Sequence, residues 1–202
     1  MASRVICISR ARGALGEQVG TLVASQLGYR YIDEEIISQA AARENVDPGA
    51  LADAERRKSF VTRLLTQFAA AGASAYVAPL PVDDEDHYRE LIREAIAETA
   101  AQGDAVIVSH AASYALVGQD DLLRVFVTAS PAVRGRRLAE AGEVAEADAG
   151  KEIERSDGNR ADYLKRFYDV DRELPTHYDV VVNTDRLTAE QAAALVAHAA
   201  TD

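Results

Sequence analysis

A chain of 202 residues, 48% of them hydrophobic, carries enough apolar material for one folded core, which excludes extended disorder. Its 33 acidic against 22 basic residues leave a formal charge of −11, a field that opposes duplex nucleic acid as a partner while leaving room for a small phosphate ligand in a local basic pocket. A single cysteine, Cys7, excludes an intrachain disulfide, and no run approaches the roughly 20 apolar residues needed to span a bilayer.

The first apolar run, Val5-Ile-Cys-Ile8, is too short and too soon interrupted by Ser9 and Arg10 to be a secretory signal, so a soluble, cytoplasmic protein is expected. The run reads as a buried parallel strand, with Cys7 as a small core residue. It leads into Arg10-Ala-Arg-Gly-Ala-Leu-Gly16 and then an amphipathic pattern, Val19, Leu22, Val23 and Leu27, stopped by Gly28. Strand, glycine turn and helix in that order is the layout of a phosphate-binding loop, in which backbone amides and a helix N-terminus face an anion. Arg10, Arg12, Gly13, Ala14, Leu15, Gly16, Glu17 and Gln18 form this candidate cofactor-binding run. The lysine of the GxxxxGK[ST] form is absent, with Arg10 or Arg12 as substitute cations, and Glu17 brings a negative charge to the first helical turn. A tight turn that binds nothing is the alternative.

Tyr29–Ile32 adds a further strand, after which Asp33 caps a helix and stands where a ligand could be oriented. Residues 45–85 read as a helical insertion: Asp47-Pro48 opens one helix, Phe60, Val61, Leu64, Leu65 and Phe68 line another, and an exposed loop follows from Tyr76. Within it, Glu55-Arg-Arg-Lys58 either ends a charged helix or presents Arg57 to an acceptor phosphate. Leu91, Ile92, Ala95 and Ile96 mark a helix ending before Gly103, and Ala105–Val108 is the next buried strand. Of four histidines, only His110 falls at a strand's C-terminal end, where open α/β sheets place ligands. No histidine or cysteine spacing points to a structural metal.

Leu123–Val127 is another strand, Ser130-Pro131 opens a helix, and Arg134, Arg136 and Arg137 begin a basic run that continues through Lys151, Arg155, Arg160, Lys165 and Arg166. Two readings stand side by side: cations that close on transferring phosphate, or a solvated helix paired with Glu152, Glu154, Asp157 and Asp162. Tyr163, Phe167, Tyr168 and Tyr178 read as packing residues. A last strand at Asp179–Val182 precedes a helix whose capping box is Thr188 with Gln191. Alternating strands and helices predict an α/β domain of three layers, a parallel sheet with helices on both faces.

Ile6–Arg10, the glycine loop, Leu27–Ile37, Val106–His110, Val127–Arg137, the series Ser156, Asp157, Arg160 and Tyr163, and Tyr178–Thr184 together resemble the cytidylate kinase-like family, a branch of the P-loop nucleoside monophosphate kinases. Two runs depart from its pattern. Where the family commonly reads Gly-Ser-Gly-Gly-Arg, this chain has Gly13-Ala-Leu-Gly16-Glu17, and where it often carries Gly-Arg-Gly, this chain has Ser109-His110-Ala111. The resemblance implies a P-loop kinase fold with core 1–44, 86–150 and 172–202, the helical insertion, and a lid at 151–171. It implies ATP and Mg2+ as cofactors, Arg155, Arg160 and Arg166 as catalytic lid arginines, and Asp33, His110 and Arg57 on the acceptor side. The implied activity is phosphoryl transfer to a nucleoside monophosphate or a related small acceptor. The changed loop keeps a second possibility open, a catalytically silent relative that serves as nucleotide sensor or protein-interaction scaffold.

Overall fold

The computed structural model describes residues 3–33, 96–109, 112–116, 118–119 and 121–201. The apolar run at the start forms β1 (Val5–Arg10), followed by α1 (Gly16–Leu27) and the short β2 (Arg30–Ile32). Residues 96–101 are helical, and then come β3 (Ala105–Val108), a single turn α2 (Ala112–Ala115) and β4 (Leu122–Thr128). The chain continues through α3 (Pro131–Glu140), a 20-residue helix α4 (Ala149–Tyr168), β5 (Val180–Asn183) and α5 (Ala189–Thr201). The expected insertion helices, Leu91–Ala95, Arg57 and His110 lie outside the described residues.

All five strands run parallel in the order β2-β3-β1-β4-β5. The first strand in sequence is thus the middle one in space, with Val5 opposite Ala105 on one side and Leu122 on the other. That position explains why Val5-Ile-Cys-Ile8 is continuously apolar, since a central parallel strand is covered on both faces. Strand pleating divides the sheet. Ile6, Ile8, Val106, Val108, Val125 and Val127 pack with Val19 and Val23 of α1 and with Ala192, Ala193 and Val196 of α5. Cys7, Ile107 and Phe126 alternate to the opposite face.

Local signals end the helices where the sequence places them. Gly28 adopts φ +70° and caps α1 through its own N–H to the Ala24 carbonyl. Thr188 and Gln191 form a reciprocal capping box, with bonds of 3.0 and 3.3 Å. Pro131 opens α3, with Ser130 at the cap but making no side-chain cap bond; its N–H instead donates to Asp185 at 2.7 Å. Among the described residues no helix is long and apolar enough to cross a membrane.

Candidate functional site

At the C-terminal end of β1 the chain turns through Ala11–Leu15 into α1, at the edge where open parallel sheets gather ligands. The Ala14 N–H donates to the Ala11 carbonyl at 3.0 Å, which closes the turn, and Gly13 takes φ +78°. Leu15 caps the helix in the left-handed region, at φ 67° and ψ 18°, without a side-chain bond. The first amide able to reach back is that of Val19, which donates to the Leu15 carbonyl at 2.9 Å. The amides of Gly16, Glu17 and Gln18 therefore open the helix with no preceding carbonyl to bind, and the helix dipole adds to their positive field.

The loop is held from behind by its carbonyls. Buried Arg134 on α3 donates to the Arg12 carbonyl at 3.4 Å, and its guanidinium takes the Asp157 carboxylate in two bonds of 2.8 and 2.7 Å. Arg137, one turn further on the same face, donates to the Gly13 carbonyl at 3.3 Å and to the Thr184 carbonyl at 2.6 Å. The hydroxyl of Thr184, fully buried just beyond β5, donates to the Ala14 carbonyl at 3.0 Å. Three successive carbonyls, of Arg12, Gly13 and Ala14, are thus drawn toward α3 and β5. This restraint fixes the loop's shape without using the Gly16–Gln18 amides.

On the flanks, every loop cation meets an acid. Arg10 lies over Gly16, where an added Cβ would stand 2.4 Å from its own Cβ, and its Nε pairs with Glu17 at 2.5 Å. The negative charge predicted to repel a ligand is therefore partly neutralised by the loop itself. Tyr31 of β2 stands beside this pair: burial and then the Asp33 carboxylate push its phenol up to about 12, with Glu17 and Arg10 also within electrostatic reach. Asp33 thus belongs to the same end of the sheet as the loop. Arg12 reaches the other way, to Glu143 at 3.2 Å and in closer contact to Glu152 in the first turn of α4.

The three arginines expected in the lid are not brought together. Arg155 pairs with Glu152, with bonds of 2.6 to 3.0 Å, and so joins the Arg12 cluster at the loop. Arg166 shares its side of α4, about 20° away in rotation and about 16 Å along the axis, and is exposed with its guanidinium 5.6 Å from the Phe167 ring. Arg160 points about 140° away from Arg155. It is 9% exposed, lies over Phe126 at 5.4 Å, and holds Glu173 through bonds of 2.9 and 2.5 Å. Tyr178, stacked on Phe126, donates its hydroxyl to the same Glu173, while the Tyr114 hydroxyl bonds His177 Nδ1 at 3.1 Å.

The cytidylate kinase-like family model matches residues 5–186, which takes in the loop, α3, α4 and Thr184. The chain belongs to that family. No curated protein matches the sequence. Among solved structures, an uncharacterized protein from Eubacterium ventriosum aligns at TM-score 0.69 and 15% identity over 97% of both chains. A shikimate kinase from Bacteroides thetaiotaomicron aligns at 0.51 and 18% over 98% of both chains. A gluconokinase from Sinorhizobium meliloti aligns at 0.51 and 17%, covering 97% of this chain and 93% of its own. These likenesses establish the P-loop kinase fold.

In this family member the rear support was the part least visible beforehand. Arg134 and Arg137 read either as phosphate-facing cations or as part of a solvated, acid-paired helix, yet both grip the loop's backbone; their spacing of three on one helix is the signal that they act together. Thr184 stood in the resembling run without a role, and Glu152 only as a surface partner for the arginines. Among the described residues no group of three or more His, Cys, Asp or Glu side chains could hold a metal ion. A magnesium ion carried on phosphate oxygens takes only one or two protein contacts, and Asp33, whose carboxylate shares Tyr31's electrostatic surroundings with Glu17 and Arg10, is an oxygen donor of the kind it takes.

Proposed function

We propose that the chain is an ATP-dependent phosphotransferase acting on a nucleoside monophosphate, cytidylate-like, or on a related small hydroxylated acceptor. The observation that carries this reading is the backward pull on the Arg12, Gly13 and Ala14 carbonyls beside open amides at Gly16–Gln18. A loop so restrained presents donors already oriented, so binding a phosphate does not require the loop to be reorganised. In this proposal residues 13–18 hold the donor phosphates and Arg10 and Arg12 supply nearby cations. Residues 151–171 act as a lid over them. Arg155, already beside the loop through Glu152, approaches the donor from that lid, Arg166 lies farther along the same helix, and Arg160, anchored on Glu173, fixes the lid's base. Asp33, His110 and Arg57 are assigned to the acceptor in this proposal. Magnesium, when bound, supplies charge neutralisation at the β- and γ-phosphate oxygens.

A second reading, a silent relative that binds nucleotide or a protein partner without turnover, draws on one observation. Arg10, Arg12 and Arg155 are all engaged by carboxylates, and Glu17 occupies the position of the usual loop lysine. A coupled assay of ADP release from MgATP decides between the two, run across nucleoside monophosphates and small acceptors that include shikimate and gluconate. Turnover with any acceptor supports the phosphotransferase; MgATP binding by calorimetry with no turnover across the panel supports the silent relative.

A further inference from the structure

Glu152 is held in an unusual way for a residue in the first turn of a 20-residue helix. Its side chain is only 14% exposed and lies between two guanidinium groups, that of Arg12 from the loop and that of Arg155 from its own helix. Arg12 immediately precedes Gly13, so the carboxylate sits beside the phosphate loop and not out on the helix surface. Two arginines converging on one pair of oxygens is the arrangement that recognises phosphate as readily as carboxylate.

Glu152 also links the N-terminal end of α4 to the loop, whereas Arg134–Asp157 ties the helix to α3 further along. A polyphosphate seated on the Gly16–Gln18 amides would bring several negative charges next to Arg12. Glu152 and the ligand would then compete for the same guanidinium groups, and two like charges cannot both keep them. We propose that Glu152 is a built-in counter-anion: it holds the lid helix down on the phosphate loop in the ligand-free molecule and gives up Arg12 and Arg155 to an incoming polyphosphate ester. The inference rests on the reading of the loop as a phosphate site and adds to it a device that sets the ligand's apparent affinity and couples binding to release of the helix.

The test uses the full chain with inorganic tripolyphosphate and MgATP as probes, comparing wild type, Glu152→Gln and Glu154→Gln. The last makes the same charge change at an exposed position on the same helix, so it accounts for the general field. E152Q should bind tripolyphosphate about three- to fivefold more tightly than wild type, the upper scale of one part-exposed ion pair, and E154Q should stay within about twofold. Without ligand, E152Q should also exchange the amides of residues 149–156 faster than wild type. Binding by E152Q that equals or falls below wild type overturns the proposal while leaving the phosphate loop intact. If neither protein binds either probe, the phosphate reading fails. Faster exchange in that case leaves Glu152 a structural tie only and overturns the counter-anion role, and unchanged exchange overturns the tie as well. Should E152Q fail to fold, Glu152→Asp, which keeps the charge but shortens its reach, is expected to show the same tightening.

Discussion

Gly13 is the residue on which the loop's shape turns. Its φ of +78° is strained for any side chain, and a Cβ there would stand 2.9 Å from the Arg134 carbonyl oxygen and 3.1 Å from the Arg134 Cβ. Gly28 offers a built-in comparison, because its φ of +70° is similar but nothing lies within 4 Å of an added Cβ. Gly28→Ala should therefore report backbone strain alone, about 1 kcal/mol in urea denaturation. Gly13→Ala should lose about 2–3 kcal/mol, since the same strain is joined by a clash with backbone that cannot move aside cheaply. It should also weaken tripolyphosphate binding, which Gly28→Ala should not. Equal stability losses for the two variants would mean that the loop and α3 do not press together as described.

At the level of elements, the edge strand β5 is fastened at its start by an ion pair as well as by its ladder to β4. The carboxylate of Asp179, just before β5, accepts from the Arg124 guanidinium of β4 at 2.7 and 3.1 Å and from the Arg124 backbone N–H at 2.8 Å. The Arg124 side-chain bond holds the Asp179 carboxyl below its ordinary range, against an opposing contribution from burial. A carboxylate depressed in the folded state adds stability above its unfolded pKa of about 3.9, and that stability disappears as pH falls through the folded value. Asp179→Asn should thus lower stability at pH 7 by no more than about 1 kcal/mol, because the pair is about a third exposed and water screens it. The difference from wild type should shrink as urea titrations are repeated toward pH 3, and a gap that persists in acid would assign the effect to packing instead. The strands and helices were legible in sequence because their signals are local. Apolar runs gave Val5–Ile8 and Ala105–Val108, and Gly28 and the Thr188–Gln191 box marked their helix ends. The division of labour among the arginines was not legible. Arg155, Arg160 and Arg166 look alike in one basic run, and only the tertiary fold decides that one meets the loop, one is buried on Glu173 and one stays exposed. Likewise Glu17 read as a repelling charge because its partner, Arg10, is brought beside it by a turn that the sequence does not dimension.

For the molecule as a whole, the lone cysteine is a gauge of global opening. Cys7 lies in the central strand at 1% exposure, and burial pushes its thiol up, away from the reactive thiolate. With β3 and β4 on either side, no fraying of an edge can expose it. Alkylation by iodoacetamide at pH 8 should proceed only through global unfolding, slowed by the full unfolding equilibrium constant and speeded in step with urea. Modification at the rate of an unstructured thiol would contradict the placement of β1 at the sheet's centre.

The three bonds behind the loop also impose an order on synthesis. Arg12, Gly13 and Ala14 leave the ribosome well before the residues that hold them, since their carbonyls wait for partners 122, 124 and 170 positions later. A nascent chain that has exposed every residue of the loop, yet not Thr184, lacks the hydroxyl that completes it. On the proposed reading of the loop, a product cut short before β5 would carry the whole loop sequence and should still hold nucleotide more weakly than its full-length counterparts.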